Sequence, residues 1–142
     1  MEQFEQIILK HNCKKRTKKS KSSIEEIERM AKFKLPIDYR TYLENYLGFE
    51  DTIGEEYVRL WDLDELVEMN KDYEIADYLQ NILGIGTNGG GEFIGIELTK
   101  KKKHRIILVP FIGMDEKEYH IEIGTSFSDF LIRLENGQEW FE

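Results

Sequence analysis

Two short patterns in this 142-residue chain have residue types and spacing found in cofactor-binding or catalytic motifs. In the first, Gly84-x-Gly86-x-x-Gly89 matches the dinucleotide fingerprint. The glycines of that fingerprint bring a helix N-terminus to a pyrophosphate, and an acid about 20 positions later binds the ribose. Strand-forming residues follow the glycines in this chain, however, and Val109 stands where the acid would be. We therefore expect the glycines to form a turn and to allow two strands to approach closely.

The second pattern, Gly124-Thr125-Ser126-Phe127-Ser128, is close to the G-x-S-x-G turn that presents a nucleophilic serine in hydrolases. Ser128 replaces the final glycine of that motif, and no histidine follows Ser126 to act as its base. A helical pattern of apolar residues begins directly after Ser126. We therefore expect the Ser126 side chain to cap a helix.

The histidines and the single cysteine do not combine into a catalytic or metal-binding set. His11, His104 and His120 are scattered and lack the spacing of zinc ligands. Because Cys13 is the only cysteine, an internal disulfide is excluded. The lysines around Cys13 could lower its pKa, but the neighbouring sequence offers no general base. We therefore predict no catalytic residues, no metal ligands and no cofactor, and hence a protein that is not an enzyme.

Positive and negative charges are segregated along the chain, whose net charge is −8. Residues 10–21 carry seven positive charges and residues 100–105 carry five, and neither segment contains an acid. The rest of the chain holds all 28 acidic residues, and such an acidic body repels nucleic acids and membranes but attracts basic proteins. We therefore expect a basic protein partner, with no specific nucleic acid and no membrane. The run 10–21 lacks interleaved aromatic residues, so we do not expect it to bind RNA sequence-specifically. Non-specific contact with phosphates is the one nucleic-acid interaction that stays open for this run.

Two acidic clusters are the candidate partner-binding residues, and both lie in predicted loops. The first cluster consists of Glu50, Asp51, Glu55 and Glu56, and the second consists of Asp115, Glu116 and Glu118. A solvated surface and a face that binds a basic partner both account for such clusters, and the sequence leaves the two interpretations open.

The spacing of apolar residues predicts the elements that position these side chains. Helical spacing is found over residues 3–11, after the capping box Ser23-x-x-Glu26, from Pro36 to a C-terminal cap at Gly48, after Asp62, and from Ser126 to Gly137. Strand-like spacing is found at residues 57–61, in a hairpin over residues 82–98, and at residues 105–111 and 119–123. Residues 49–56 are interpreted as a turn and the basic run 10–21 as a solvated connector. This order predicts a single α+β domain with a mainly antiparallel sheet of about 4–6 strands flanked by helices.

Four strings carry a family resemblance, and they cover residues 24–134 in order. They are Leu35-Pro36-Ile37-Asp38-Tyr39-Arg40-Thr41-Tyr42-Leu43, Leu60-Trp61-Asp62-Leu63-Asp64-Glu65-Leu66, Ile85-Gly86-Thr87-Asn88-Gly89-Gly90-Gly91-Glu92 and Thr125-Ser126-Phe127-Ser128-Asp129-Phe130-Leu131. Together they resemble the hallmarks of the SUKH superfamily, which includes the fungal Smi/Knr cell-wall regulators and many bacterial immunity proteins. The chain departs from the family at Tyr46-Leu47-Gly48-Phe49, where the second helix usually ends in Asn-Gly-Gly, which leaves the segment 49–56 undefined by the resemblance.

The resemblance implies an α+β fold without catalytic residues and, in bacterial members, an immunity function in which the domain binds a toxin and blocks it. It also implies a domain organisation: an N-terminal helix and basic connector over residues 1–23, a SUKH domain over 24–136 and a short tail over 137–142. Among the motif residues, Pro36 is expected to start a helix, Gly89–Gly91 to turn a hairpin, and Trp61 and Phe127 to fill the core. Binding residues vary within such families, so the resemblance identifies none in this chain.

We therefore expect a cognate polymorphic toxin as partner, with a nuclease as the favoured class. A nuclease must present cations to phosphate, and an acidic inhibitor can cover that surface. The alternative is an intracellular scaffold or regulator of the Smi/Knr type with no toxin partner. No apolar run approaches the roughly 18 residues of a membrane span, and the N-terminal residues do not resemble a signal peptide. A cytoplasmic location is therefore expected, while the oligomeric state stays open.

Overall fold

Six helices and six strands make up the fold in the computed structural model, which describes residues 1–141. The helices are α1 (Gln3–Lys10), α2 (Ile24–Ala31), α3 (Ile37–Asn45), α4 (Leu66–Asp72), α5 (Ile75–Tyr78) and α6 (Phe127–Glu135). The strands are β1 (Phe49–Ile53), β2 (Glu56–Leu60), β3 (Ile82–Thr87), β4 (Glu92–Leu98), β5 (His104–Pro110) and β6 (Ile121–Gly124). The predicted single α+β domain is confirmed. Glu142, the last residue of the predicted tail 137–142, lies outside the described residues.

All strand pairs are antiparallel, and the sheet order β1-β2-β3-β4-β5-β6 follows the order of the chain. Strands β3, β4 and β5 are buried over most of their length. Helices α4 and α5 pack on β3, whereas α6 packs on β5 and β6 and also contacts α1 and α3. Trp61 and Phe127 lie in the core, as predicted from the family strings.

The caps and the central hairpin follow the sequence patterns closely. Ser23 accepts a hydrogen bond from the Glu26 amide, and Ser126 accepts one from the Asp129 amide. Pro36 directly precedes α3 instead of standing in its first turn, a difference of one residue at a helix boundary. The predicted hairpin over residues 82–98 is confirmed by β3 and β4. Its turn contains Gly89 at φ +78°, in the left-handed region that favours glycine.

The prediction of an acidic turn over residues 49–56 is wrong, because most of this segment is strand. Phe49 and Ile53 are buried core residues, and their even spacing places both on one face of β1. Gly54, at φ +62°, supplies the left-handed position that turns the chain into β2. All five residues of β1 then pair with β2. Because acidic residues stand between the two buried apolar residues, the sequence lacks the regular alternation of apolar and polar residues by which a strand is predicted.

The basic run 10–21 is not simply a solvated connector, because its centre pairs with the chain that follows α3. Lys15 forms an isolated antiparallel bridge with Tyr46, and the Leu47 amide donates to the Lys14 carbonyl. This pairing ends α3 at Asn45, so the predicted cap at Gly48 is also wrong. Cys13 is buried at the start of the pairing, whereas the lysines of the run remain exposed.

Arg16 ties this paired segment to the start of α4. Its Nη2 donates to Asp62 Oδ1 at 2.7 Å and to the carbonyls of Leu43 and Tyr46 at 3.3 and 3.2 Å. The same oxygen of Asp62 accepts the Gly48 amide. The Asp62 side chain also caps the 3-10 turn that leads into α4, as its sequence position predicts.

Asn70 performs a similar bridging role between α4 and β3. Among residues 1–141 it is the one buried side chain that is neither aliphatic, aromatic nor sulfur-containing. Its Nδ2 donates to the Gly84 and Leu66 carbonyls and its Oδ1 accepts the Gly84 amide, all at 2.9 Å. Strand β2 pairs with β3 only at Thr87 and Gly86, so the Asn70 amide satisfies backbone groups that a neighbouring strand would otherwise satisfy.

Replacing Asn70 by leucine should destabilise the protein by about 2–4 kcal/mol, because the buried amide and carbonyl of Gly84 would lose their partners. The measurement is urea unfolding at constant m-value. Asn45→Leu is the matched control, since Asn45 makes the same bond to a carbonyl four residues earlier but on an exposed surface. We expect the control to change the free energy of unfolding by less than about 0.5 kcal/mol. Equal losses in the two variants would contradict the role given to Asn70.

Replacing Arg16 by methionine should destabilise the protein by about 2–3 kcal/mol. The guanidinium is largely buried, and its loss would leave two carbonyls and a carboxylate short of a donor. Arg40→Met is the control, because it breaks an exposed pair with Glu44 and should change stability by about 0.5 kcal/mol or less. Thermal and urea unfolding of both variants would measure the difference, and a loss for Arg16→Met as small as the control's would refute it.

Candidate partner-binding surface

The first acidic cluster lies on the β1–β2 hairpin at one edge of the sheet. Glu50 and Asp51 belong to β1, Glu55 lies in the turn, and Glu56 is the first residue of β2. Glu50 accepts a hydrogen bond from the Tyr57 hydroxyl, and this bond, together with burial and the charge of Glu50, raises the pKa of that hydroxyl.

Two residues of this cluster hold the fold together. Asp51 Oδ2 lies 3.0 Å from His11 Nδ1, and the other ring nitrogen of His11 lies 3.1 Å from Glu135 on α6. A hydrogen bond from Lys10, assisted by His11, lowers the pKa of Glu135 even though partial burial opposes it. Glu56 accepts the backbone amide of Trp140 at 2.8 Å. Asp51 and Glu56 thus join the hairpin to α1, α6 and the C-terminal segment.

The second acidic cluster lies in the connection between β5 and β6. Asp115, Glu116 and Glu118 are exposed, and within residues 1–141 their side chains make no hydrogen bond or ion pair. The connection is held by backbone hydrogen bonds, such as that from the Phe111 amide to the Gly91 carbonyl, and by the His120 ring, whose Nε2 lies 2.6 Å from the Met114 carbonyl. None of these contacts uses the three carboxylates, which leaves them available to another molecule.

An apolar groove accompanies Glu118. The groove, of about 370 Å³, is lined by Ile112, Tyr119 and Phe141, with Glu92 and Glu118 beside them, and we call it the Tyr119 groove. The three large side chains are 94%, 55% and 70% exposed. Exposed apolar groups with a charged rim are typical of protein-binding surfaces. Sequence reasoning missed this groove, although an isoleucine and a tyrosine within a polar loop were a usable signal.

The C-terminal segment brings the two predicted clusters to neighbouring positions. Trp140 is bound by Glu56 of the first cluster, and the next residue, Phe141, lines the Tyr119 groove together with Glu118 of the second. Of the seven predicted acids, Glu55, Glu116 and Glu118 are exposed and free of side-chain partners within the described chain. Glu118 lines the groove with Phe141, and Glu55 directly precedes Glu56, which binds Trp140. Asp115 also has no partner there but lines a different cavity.

The side chains that could act in catalysis or bind a metal are buried or engaged in contacts within the fold. Burial and, secondarily, the charge of Asp62 raise the pKa of the Cys13 thiol to about 12, so the expectation that nearby lysines lower it is wrong. Ser126 caps α6, and His104 Nε2 lies 2.9 Å from the Lys34 carbonyl. Across residues 1–141, no group of three or more His, Cys, Asp or Glu side chains is arranged to hold a metal ion. None of the helices described has the length and apolar character needed to span a bilayer.

Removing a fold-holding acid should lower stability, whereas removing a free acid should not. We expect Asp51→Ala and Glu56→Ala each to destabilise by about 1 kcal/mol or more, since each breaks a partly buried hydrogen bond made by a carboxylate. Glu55→Ala and Glu118→Ala should stay within about 0.5 kcal/mol of the parent. Thermal unfolding of the four single variants tests this division, and four equal values would contradict it.

One comparison with known proteins gives a match. The model of the SMI1 / KNR4 family (SUKH-1) matches residues 19–133, which is well over half of the chain. The matched region begins in the basic run 10–21 and ends within α6, so it contains both acidic clusters and most of the Tyr119 groove. Among curated proteins, no significant match was found.

Proposed function

The chain belongs to the SMI1 / KNR4 family (SUKH-1), and on this premise we propose that it is a non-catalytic protein-binding module that neutralises a cognate toxin. The observation that carries the proposal is the Tyr119 groove, where exposed apolar side chains stand beside Glu118, a carboxylate that makes no hydrogen bond or ion pair within the described residues. A basic toxin, with a nuclease as the favoured class, is the partner that this combination fits.

Charge and apolar contact would contribute to different steps of binding. Glu55, Glu116 and Glu118 would attract a basic surface and speed the encounter, because complementary charges mainly raise the association rate. Tyr119, Ile112 and Phe141 would then be covered by the partner, and buried aromatic side chains often dominate the energy of an interface. A nuclease whose phosphate-binding cations are covered in this way could not bind its substrate.

A lack of catalysis fits the structural roles of the residues that could do chemistry. Cys13 is buried with a raised pKa, Ser126 caps a helix, and Gly84 and Gly86 belong to a strand that leads into a hairpin. Each of these residues is accounted for by folding alone. A point mutant that abolished a reproducible turnover would refute this part of the proposal.

The second candidate is a scaffold or regulator of the Smi/Knr type, which would use the same groove for a basic protein that is not a toxin. The gene neighbourhood separates the two candidates, since an immunity protein is expected beside the gene of its toxin. The direct experiment is surface plasmon resonance with the toxin domain encoded next to this gene. Saturable capture supports immunity, whereas no neighbouring toxin, or no capture at micromolar concentrations, favours the scaffold.

Reversing the free acids should slow capture of this toxin domain more than an equal charge change elsewhere. We expect the triple variant Glu55→Lys, Glu116→Lys and Glu118→Lys to lower the association rate by about tenfold or more at low salt, and by less as salt is added. The control triple is Glu25→Lys, Glu68→Lys and Asp72→Lys, which reverses three exposed acids on α2 and α4.

Tyr119→Ala should instead act on dissociation, since it removes apolar contact without changing charge. The expected result is an unchanged association rate with complex lifetime shortened by about tenfold. Equal association rates for the two triple variants, or a complex of Tyr119→Ala that lives as long as that of the wild type, would contradict the assignment of the binding face to the Tyr119 groove.

A further inference from the structure

A large cavity lies at the end of the sheet near the β4–β5 turn, apart from the Tyr119 groove. It is about 680 Å³, within the range of about 300–1,000 Å³ that is usual for small-ligand sites. Four lysines line it, namely Lys32, Lys100, Lys102 and Lys117, and we call it the lysine cavity. They come from the end of α2, the β4–β5 turn and the β5–β6 connection, so the fold gathers them from three distant parts of the chain.

The lysine cavity has an excess of positive charge in a protein of net charge −8. Within residues 1–141, none of its four lysines takes part in an ion pair. Two carboxylates also line it, but Glu97 is engaged by Arg105 at 2.6 Å, which leaves Asp115 alone against four ammonium groups. Four like charges around one cavity repel one another, and a bound polyanion would relieve that repulsion.

Backbone strain is concentrated around the same cavity. Five non-glycine residues among those described have positive φ, and three of them line the cavity: Lys32 at +66°, Asn81 at +60° and Lys102 at +64°. Glycine adopts positive φ without steric penalty, whereas a residue with a side chain does not. Lys32 and Lys102 therefore occupy positions that would favour glycine. Strained positions with functional side chains cluster at ligand sites.

We propose that the lysine cavity binds the polyphosphate group of a small molecule. Lysine ammonium groups bind phosphate oxygens as point charges, and four of them match the charge of a di- or triphosphate. The acidic body around the cavity would repel a long polyanion, which favours a ligand small enough to be enclosed. Tyr78, 56% exposed at the cavity wall, offers an aromatic face to a planar group attached to the phosphates, as in a nucleotide.

Isothermal titration calorimetry tests this proposal with two probes, inorganic tripolyphosphate and ATP, without divalent metal and at low salt. We expect saturable 1:1 binding of at least one probe, weakened as salt is added. Lys100→Gln with Lys117→Gln should raise the dissociation constant by about tenfold or more, since each lysine contributes a charge-assisted contact. Lys14→Gln with Lys18→Gln makes the same charge change on the exposed basic run and should alter the dissociation constant by less than about twofold.

The two probes also distinguish the source of the phosphates. Binding of ATP that Tyr78→Ala weakens, while tripolyphosphate binding is unchanged, identifies a nucleotide as the ligand class. Binding of tripolyphosphate alone identifies an inorganic polyphosphate. No saturable heat from either probe up to about 10 mM would overturn the proposal, as would equal weakening by the two lysine double variants. Circular dichroism melting of every variant verifies that these exposed substitutions leave the fold intact.

Discussion

The contact between Arg16 and Asp62 is the constraint on which the arrangement of the helices and the sheet depends. One guanidinium nitrogen satisfies the end of α3 through two carbonyls and meets the carboxylate that caps the turn before α4. The same carboxylate oxygen receives the amide of Gly48, at the point where the chain enters β1. Removing either partner would leave a largely buried charge without its counterpart, which is strongly destabilising, so the pair holds together the end of α3, the start of β1 and the turn before α4.

The acidic side chains fall into two groups: some make hydrogen bonds that hold the fold together, and others remain free at the surface. Asp51 and Glu56 connect the β1–β2 hairpin to α1, to α6 and to the C-terminal segment. Hydrogen bonds within the fold therefore hold the carboxylates of Asp51 and Glu56 in place. Glu118, which lines the Tyr119 groove, has no such partner within the described residues, so its charge is available beside exposed apolar side chains.

Sequence patterns predicted those elements that depend on residues close together in the chain. The caps at Ser23 and Ser126 and the hairpin around Gly89 depend on residues within a few positions of one another. Arg16 could not be interpreted in this way, because its partner Asp62 is 46 positions away and the lysines around it are truly exposed. Within the candidate site, the exposure of Glu118 followed from its loop. The internal partners of Asp51 and Glu56 come from opposite ends of the chain, and no local pattern reveals them.

Strand β1 is an edge of the sheet, and the acids that it carries affect how separate copies of the protein meet. An edge strand exposes unpaired backbone groups that can recruit the edge strand of another molecule. Glu50 and Asp51 place two carboxylates along this edge, and a second copy would bring two more against them. The opposite edge, β6, is only four residues long and packs against α6. Charge on one edge and a short strand on the other therefore both oppose the growth of a continuous sheet between molecules.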